Sequence, residues 1–428
     1  MKWIIHVLLL LLFSLLTSRA SPILTLLDGT SGENGRPTGV SSDGSVVVGN
    51  TTGDSGAHMY QIYPVIWTNG TMEYVEGPSS GASLNGVSAS GSIIVAAAGG
   101  HYDYNPSTPS YPNDYGTTPA YLTHSPAQVN TEMSLGFLGY APQTPYAGSL
   151  VYAPGTVNAV SADGSTMVGS YDSQASLTYI SGTETAALWN SSGYTNLGVL
   201  SGSGNAAATA ASANGSVIVG WSAAVGGTPL AFRWTSATGM TSLGLLPNGT
   251  NSAATGISGD GSVIVGNADG NAVCWTNTVI GKLGTIGNYP ATANAISSDG
   301  RLIGGAEENG NPGGYAYSWN AYFWWDGQVY NLGSYLSSIL GGTQGYQFDQ
   351  ITAISGDLTH GYNIAGYLSG DSRLGNAFLI TGFYPPGAAA PVPASSSWSL
   401  LITFAGICTV GFRVLTRKRA SSLGVAAL

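Results

Sequence analysis
Apolar positions in this chain come in short β-branched runs, each preceded by small residues and a polar turn, and this unit recurs seven times. Three copies are Thr38-Gly-Val-Ser-Ser-Asp-Gly-Ser-Val-Val-Val-Gly49, Val157-Asn-Ala-Val-Ser-Ala-Asp-Gly-Ser-Thr-Met-Val-Gly169 and Thr255-Gly-Ile-Ser-Gly-Asp-Gly-Ser-Val-Ile-Val-Gly266. Such runs, bounded by Gly, Asp and Ser, read as strands and not as helices. A fixed phrase returning after tens of residues predicts a repeat architecture. Its second turn position is Gly44, Gly91, Gly164, Gly215, Gly261, Gly300 and Leu358, so the shortest unit spans 39 residues, from Gly261 to Gly300. That length suits a propeller blade of several strands better than a helical or leucine-rich repeat.

Within each unit the pattern predicts four strands. The Asp-Gly or Asn-Gly pair at 43–44, 163–164, 214–215, 260–261 and 299–300 predicts a two-residue hairpin with both residues at positive φ. It joins a first strand of small residues to a second such as Ser216-Val-Ile-Val-Gly220. Ser90-Gly91 and Asp357-Leu358 depart from the pair, which predicts looser turns there. A third strand follows with the phrase Ala231-Phe-Arg-Trp234 or Ala272-Val-Cys-Trp275, and a fourth with Thr195-Asn-Leu-Gly-Val-Leu200 or Tyr330-Asn-Leu-Gly333. The last unit stops after its third strand, Ala377-Phe-Leu-Ile380, while Ile23-Leu-Thr-Leu-Leu-Asp-Gly-Thr30 copies the fourth-strand phrase before the first unit. The expected fold is all-β: a seven-bladed propeller of four-stranded antiparallel blades, closed by the N-terminal strand so that no sheet edge stays open.

Composition agrees with many short strands and turns. Charged residues make up 7% of the 428, against about 25% in an average soluble domain, and Gly alone contributes 63. All 21 acidic residues but only Arg36, Arg233, Lys282, Arg301 and Arg373 among the basic ones lie between positions 23 and 384. An acidic body of this kind excludes nucleic acid as a partner.

The ends carry addresses. Residues 1–20 read as a signal peptide, with Lys2 before an apolar stretch and Ser18-Arg-Ala20 at the expected cleavage point. The propeller is expected over 21–384, a Pro/Ala/Ser linker over 385–397, one transmembrane helix over 398–416 and a basic cytoplasmic tail over 417–428. The uncharged stretch 395–412 approaches the hydrocarbon thickness, and Arg413 and Arg417-Lys-Arg419 beyond it orient the C-terminus inward. The two cysteines, Cys274 and Cys408, form no disulfide framework.

The third and fourth strands, above all Ala-Phe-Arg-Trp at 231–234 with Leu-Gly-Leu-Leu-Pro-Asn-Gly-Thr at 243–250, resemble the HAF repeats of bacterial extracellular proteins. The resemblance covers about residues 23–383 and implies an exported protein of propeller shape, with no family catalytic residues to carry over. The C-terminal segment resembles the PEP-CTERM sorting signal in degenerate form, with Val392-Pro-Ala-Ser-Ser where that family has Val-Pro-Glu-Pro. It implies exosortase-type processing and release, with plain membrane anchoring as the alternative.

Candidate chemistry lies where the copies differ. The recurrent Asp43, Asp163, Asp260 and Asp299 are expected to serve their turns and not calcium, since Asn214 and Ser90 replace them. Trp67, Trp189, Trp234, Trp275 and Trp324 are expected in the core between blades. Excess length falls at 99–119 and 307–320, on the face opposite the tight turns. These insertions hold Tyr102, Asp103, Tyr104, Tyr111, Asp114 and Tyr115 with His101, and Glu307, Glu308, Tyr315 and Trp319 with Tyr317. Aromatic rings beside carboxylates suit a glycan or a surface protein as ligand. No nucleophile motif, metal spacing or cofactor loop appears, so the expectation is a non-enzymatic binding scaffold. The alternative is a secreted carbohydrate-active enzyme using the acidic residues of the blade 2 and blade 6 loops.

Overall fold
In the computed structural model every copy of the phrase becomes the inner half of a four-stranded antiparallel sheet, and there are seven such sheets. The structure describes residues 21–27, 34–53, 61–75, 82–98, 118–123, 136–137, 155–171, 184–200, 204–223, 227–309, 318–343, 345–369 and 377–388. They belong to one folding unit, Ala20–Ala388. The expected signal peptide, transmembrane helix and basic tail, at 1–20, 398–416 and 417–428, lie outside the described residues. Among those described, no helix is long and apolar enough to cross a membrane.

Blade 4 shows the plan: Ala206–Ala211, Ile218–Ala223, Pro229–Thr235 and Gly239–Ser242 pair in that order. First strands of successive blades lie side by side around the axis. Val40, Val87, Val160, Ala211, Ile257, Ile296 and Ile354, one per blade, line a central cavity of about 280 Å³. Small first strands are what this crowding requires.

Blade 7 is completed by the other end of the chain. Gln347–Asp357, Gly361–Ser369 and Ala377–Phe383 form its inner three strands, and Ile23–Leu27 pairs antiparallel with the last, Ile23 opposite Thr381 and Leu27 opposite Ala377. The ring closes as the pattern predicts. Leu27 is buried beside Val47, Trp67 and Leu379, joining blade 7 to blade 1.

The inner turn differs from the expectation. Asp43 and its counterparts are absent from the described residues with positive φ, whereas Gly44, Gly91, Gly164, Gly215, Gly261 and Gly300 all have it. The loop is therefore wider than two residues: Ser41 donates its amide to the Val46 carbonyl, and Gly44 donates to Ser41. The physical reason is the preceding serine. Ser41 Oγ donates to Asp43 Oδ1 at 2.7 Å and accepts from the Val46 amide at 3.0 Å, bridging a loop that a type I′ turn would have no room for. Ser161, Ser258 and Ser297 repeat both bonds, and all four serines are buried. In copy two Ser90 replaces the carboxylate and the corresponding distance lengthens to 3.3 Å. Paired positive φ occurs instead in outer turns, at Asn69-Gly70 and Asp326-Gly327.

Blades are stitched together by hydrogen bonds at two levels. Around the turn face, backbone amides of Ser42, Ala89, Asp163, Ala213 and Gly259 donate to the next blade. At the seams of blade 7, side chains take over: the buried Tyr362 hydroxyl donates to Asp299 at 2.7 Å, and Asn363 Nδ2 donates to the Ser42 carbonyl at 2.9 Å. Burial, then the Asp299 carboxylate, pushes the Tyr362 phenol far up, so it remains a donor. Higher in each of blades 1–6 the first strand carries one β-bulge. The bulged Thr38, Asn85, Asn158, Thr209, Thr255 and Asn294 each donate a side-chain bond to a carbonyl of the following blade. This explains the Thr or Asn that opens the repeated phrase.

Four of the five recurrent tryptophans, Trp67, Trp189, Trp275 and Trp324, are buried, and Trp234 is half-buried. One element goes beyond the strand pattern. Gln328–Asn331 ends early and the helix Leu332–Leu340 follows, with Asn331 accepting from the Ser334 amide at its start and Gly341 in the left-handed conformation at its end. Leu332 and Leu336 pack it onto the blade 6 and 7 core.

Candidate functional site
The strand order sends the first-to-second turns to one face and the second-to-third loops and inter-blade crossovers to the other. On the turn face the aspartates accept hydrogen bonds from their own loops. Asp260 accepts from Ser258 Oγ at 2.6 Å and from the Ser262 amide at 2.9 Å, and these bonds hold its carboxyl below the ordinary aspartate range. For Asp43 and Asp163 partial burial opposes the shift, yet bonds from the flanking serines outweigh it and the direction is again downward. Among the described residues no three His, Cys, Asp or Glu side chains converge to hold a metal.

These shifts carry a prediction. A carboxyl whose folded pKa lies below its unfolded value of about 3.9 contributes stability that is complete above that pH and fades as the pH falls through the depressed value. The melting temperature should therefore drop from about pH 4 downward. The triple variant Asp43→Asn, Asp163→Asn, Asp260→Asn should show a shallower drop, because Asn214 already closes its turn from an uncharged oxygen, accepting from the Ser216 amide at 3.1 Å. Thermal melts between neutral and acidic pH read this directly, and equal slopes would refute it.

On the loop-bearing face the structure separates the sequence candidates. Tyr102, Asp103, Tyr104, Tyr111, Asp114, Tyr115 and Tyr315 lie outside the described residues. Glu307, Glu308 and Trp319 are described, and they lie in strands: Leu302–Asn309 pairs with Ser318–Trp325 with Glu307 opposite Asn320 and Glu308 opposite Trp319. The hairpin thus extends into the segment read as loop. Glu307 is 2% exposed. Its carboxylate accepts from the amides of Ile286 at 3.0 Å, Gly287 at 2.7 Å and Tyr289 at 3.3 Å. It folds the crossover from blade 5 to blade 6 around itself and leaves Ile286 and Tyr289 exposed. Asp269 performs the same service one blade earlier, accepting from the Thr250 amide and hydroxyl. An acidic residue shortly after the glycine of the second strand is the signal for this clamp.

Glu308 and Trp319 belong to a second arrangement, which sequence reasoning missed. The Glu308 amide donates to the Pro290 carbonyl at 2.8 Å. The Trp319 amide donates to Asp349 Oδ1 at 3.2 Å, crossing into blade 7. There the first strand carries two register shifts, between Phe348 and Gln350 and between Ile351 and Ala353, where each of blades 1–6 has one. The extra bulge holds Asp349, half-buried, and burial pushes its carboxyl up despite the Trp319 amide and the nearby Arg36 charge. Gln350 stands opposite Tyr367 and its side-chain oxygen accepts from the Tyr367 hydroxyl. The exposed Arg36 guanidinium lies over the Tyr367 ring, 5.5 Å from its centre. Burial, followed by weaker opposing effects of Arg36 and Asp349, raises the Tyr367 phenol.

Carboxylate, guanidinium, amide and two aromatic rings across the two seams of blade 7 can hold a polar ligand in a fixed orientation. They contain no nucleophile poised beside a base.

No protein-family model matches the chain, and no curated protein matches it. Solved structures with similar backbones include the β-propeller domain of Cps50 (Swd1) from Myceliophteria thermophila, at 10% identity over 85% of this chain and 100% of that one, TM-score 0.46. TolB from Acinetobacter baumannii is similar at 14% identity over 67% of this chain and 63% of that one, TM-score 0.39. Acylaminoacyl peptidase from Pyrococcus horikoshii is similar at 12% identity over 83% and 51%, TM-score 0.43. The chain spans less than two thirds of the TolB and peptidase chains. At these identities the likeness concerns the fold and none of their activities.

Proposed function
We propose that this chain is an exported, envelope-associated propeller that acts as a non-enzymatic binding scaffold, with its ligand on the loop-bearing face. The observation that carries the reading is the second bulge of blade 7, which departs from the repeat to set Asp349 beside Trp319, Tyr367 and Arg36. Bulges are over-represented next to active sites, where they re-aim a side chain. The turn-face aspartates, by contrast, each accept at Oδ1 from a serine of their own loop. Export rests on the leader at 1–20, and attachment on the apolar stretch at 398–416, either retained as an anchor or removed by exosortase-type processing. The resemblance to HAF repeats and to the PEP-CTERM signal supports that address.

The test is turnover. Full-length protein and a variant with Asp103→Asn, Asp114→Asn, Glu307→Gln and Glu308→Gln are incubated with envelope polysaccharide, and released reducing ends are measured. The scaffold reading expects none from either protein. Release by the parent that the variant loses would replace it with a carbohydrate-active enzyme.

A further inference from the structure
We infer that the ligand of the loop-bearing face is an uncharged polysaccharide, held along an arc that crosses blades 6, 7 and 1. The inference rests on the scaffold reading and names what the scaffold holds. The arc starts at Tyr289, 45% exposed on the crossover that Glu307 clamps. It passes to Glu308, bonded through its amide to Pro290, and to Trp319 on the same rung. The Trp319 amide joins it to Asp349 in blade 7. Tyr367, with Arg36 over its ring, carries it to blade 1.

Aromatic and hydrogen-bonding groups therefore alternate along the arc: Tyr289, Glu308, Trp319, Asp349, Tyr367, Arg36. A sugar ring has the matching duality, with an apolar face of C–H bonds that stacks on an aromatic ring and a rim of hydroxyls that carboxylates and a guanidinium can chelate. A protein partner would call for a contiguous apolar centre, whereas here every aromatic residue is followed by a charged one. A polyanion is disfavoured by the acidic body and by Glu308 and Asp349, with Arg36 the single cation of the arc. The arc is also held in place before any ligand arrives. The Glu307 clamp, the Trp319–Asp349 bond and the Tyr367–Gln350 bond fix its members, which lowers the entropy lost on binding.

Affinity electrophoresis of the full-length protein through gels containing dextran, galactomannan or xyloglucan, with alginate as the acidic counterpart, tests the inference. At least one neutral polysaccharide should retard the protein, and alginate should not. Trp319→Ala and Tyr367→Ala should each weaken retardation about tenfold, consistent with the loss of one stacking contact. Trp319→Phe should retain most of it, and Asp43→Asn on the turn face should change nothing, with thermal melts showing each variant folded. Failure of all three neutral polymers, retardation by alginate alone, or indifference to both alanine variants overturns the inference. Saturable binding to polysaccharide-stripped envelope protein, lost in Trp319→Ala while no neutral polymer retards, overturns the glycan and leaves the scaffold. Release of reducing ends from a retained polymer overturns the scaffold and leaves the glycan.

Discussion

Deleting Ile23–Leu27 is expected to abolish cooperative folding of the ring. The strand supplies the outer edge of blade 7 through five register pairs, from Ile23 opposite Thr381 to Leu27 opposite Ala377. Leu27 is buried at the seam with blade 1, and Leu24 and Leu26 pack against the cluster around Phe378 and Ile380. Burying one leucine is worth about 1.5–3 kcal/mol and each ladder hydrogen bond about 1 kcal/mol. Losing them together removes roughly 5 kcal/mol or more, a large part of the 5–15 kcal/mol that holds a typical domain. The exposed edge of Ala377–Phe383 would also invite pairing between chains. A chain lacking the strand should give a broad, low-temperature melt and sediment as aggregates. The register can be locked as well: Ile23→Cys with Thr381→Cys should cross-link on oxidation and raise the melting temperature. A sharp parent-like melt in the deletion variant would show that the ring closes without this strand.

That closure was legible in the sequence because Ile23-Leu-Thr-Leu-Leu repeats a fourth-strand phrase ahead of the first unit, and repetition survives as a string of letters. Blade number and strand order follow from the same repetition. The inner turn was misread at one level: Asp-Gly matches a type I′ pair, but the deciding partner is the serine two residues before the aspartate, whose hydroxyl bridges a wider loop. The helix Leu332–Leu340 was hidden because Asn331-Leu-Gly333 looks like the end of a fourth strand, and its capping role appears only when the chain after it turns helical.

The site was less legible, for a different reason. Glu307 and Glu308 are adjacent in sequence, yet alternation in a strand separates their duties: one carboxylate is buried among crossover amides, and the other sits half-buried on the Trp319 rung. Asp349 and Arg36 carried no signal, since the extra bulge of blade 7 lies ahead of the repeated phrase whose Thr or Asn marks the other bulges, and the two residues lie in different blades at opposite ends of the chain. Excess length in the sequence points to the loop-bearing face, while the grouping of Asp349 with Arg36 depends on ring closure, which brings blade 7 against blade 1.

Replacing Gly305 with valine should be among the most destabilising single changes in the repeated phrase, together with the same change at Gly169. A Cβ built there would lie 1.8 Å from the Thr292 carbonyl oxygen and 3.1 Å from the Ala293 Cα, both backbone atoms that no rotamer change can move aside. The crowding arises because Gly305 stands opposite Ala293 at the shoulder of the blade 6 bulge, the feature that aims Asn294 at the Ile351 carbonyl of blade 7. Relief requires the blade 6 backbone to shift at the bulge, and with a branched side chain that strains the inter-blade bond as well as the ladder. A loss of about 4 kcal/mol or more is expected, at the upper end for point substitutions. Gly169, Gly220 and Gly266 face the same carbonyl contact in their own blades, at 1.8, 2.0 and 2.1 Å, so the effect belongs to the repeat and not to blade 6 alone. Blade 2 supplies the internal control, because Ala96 occupies the matching place opposite Leu84. There the chain already accommodates a methyl group, and Ala96→Gly should cost only about 1 kcal/mol. Urea unfolding of the two variants measures the contrast, and similar midpoints for both would show that the bulge does not require glycine.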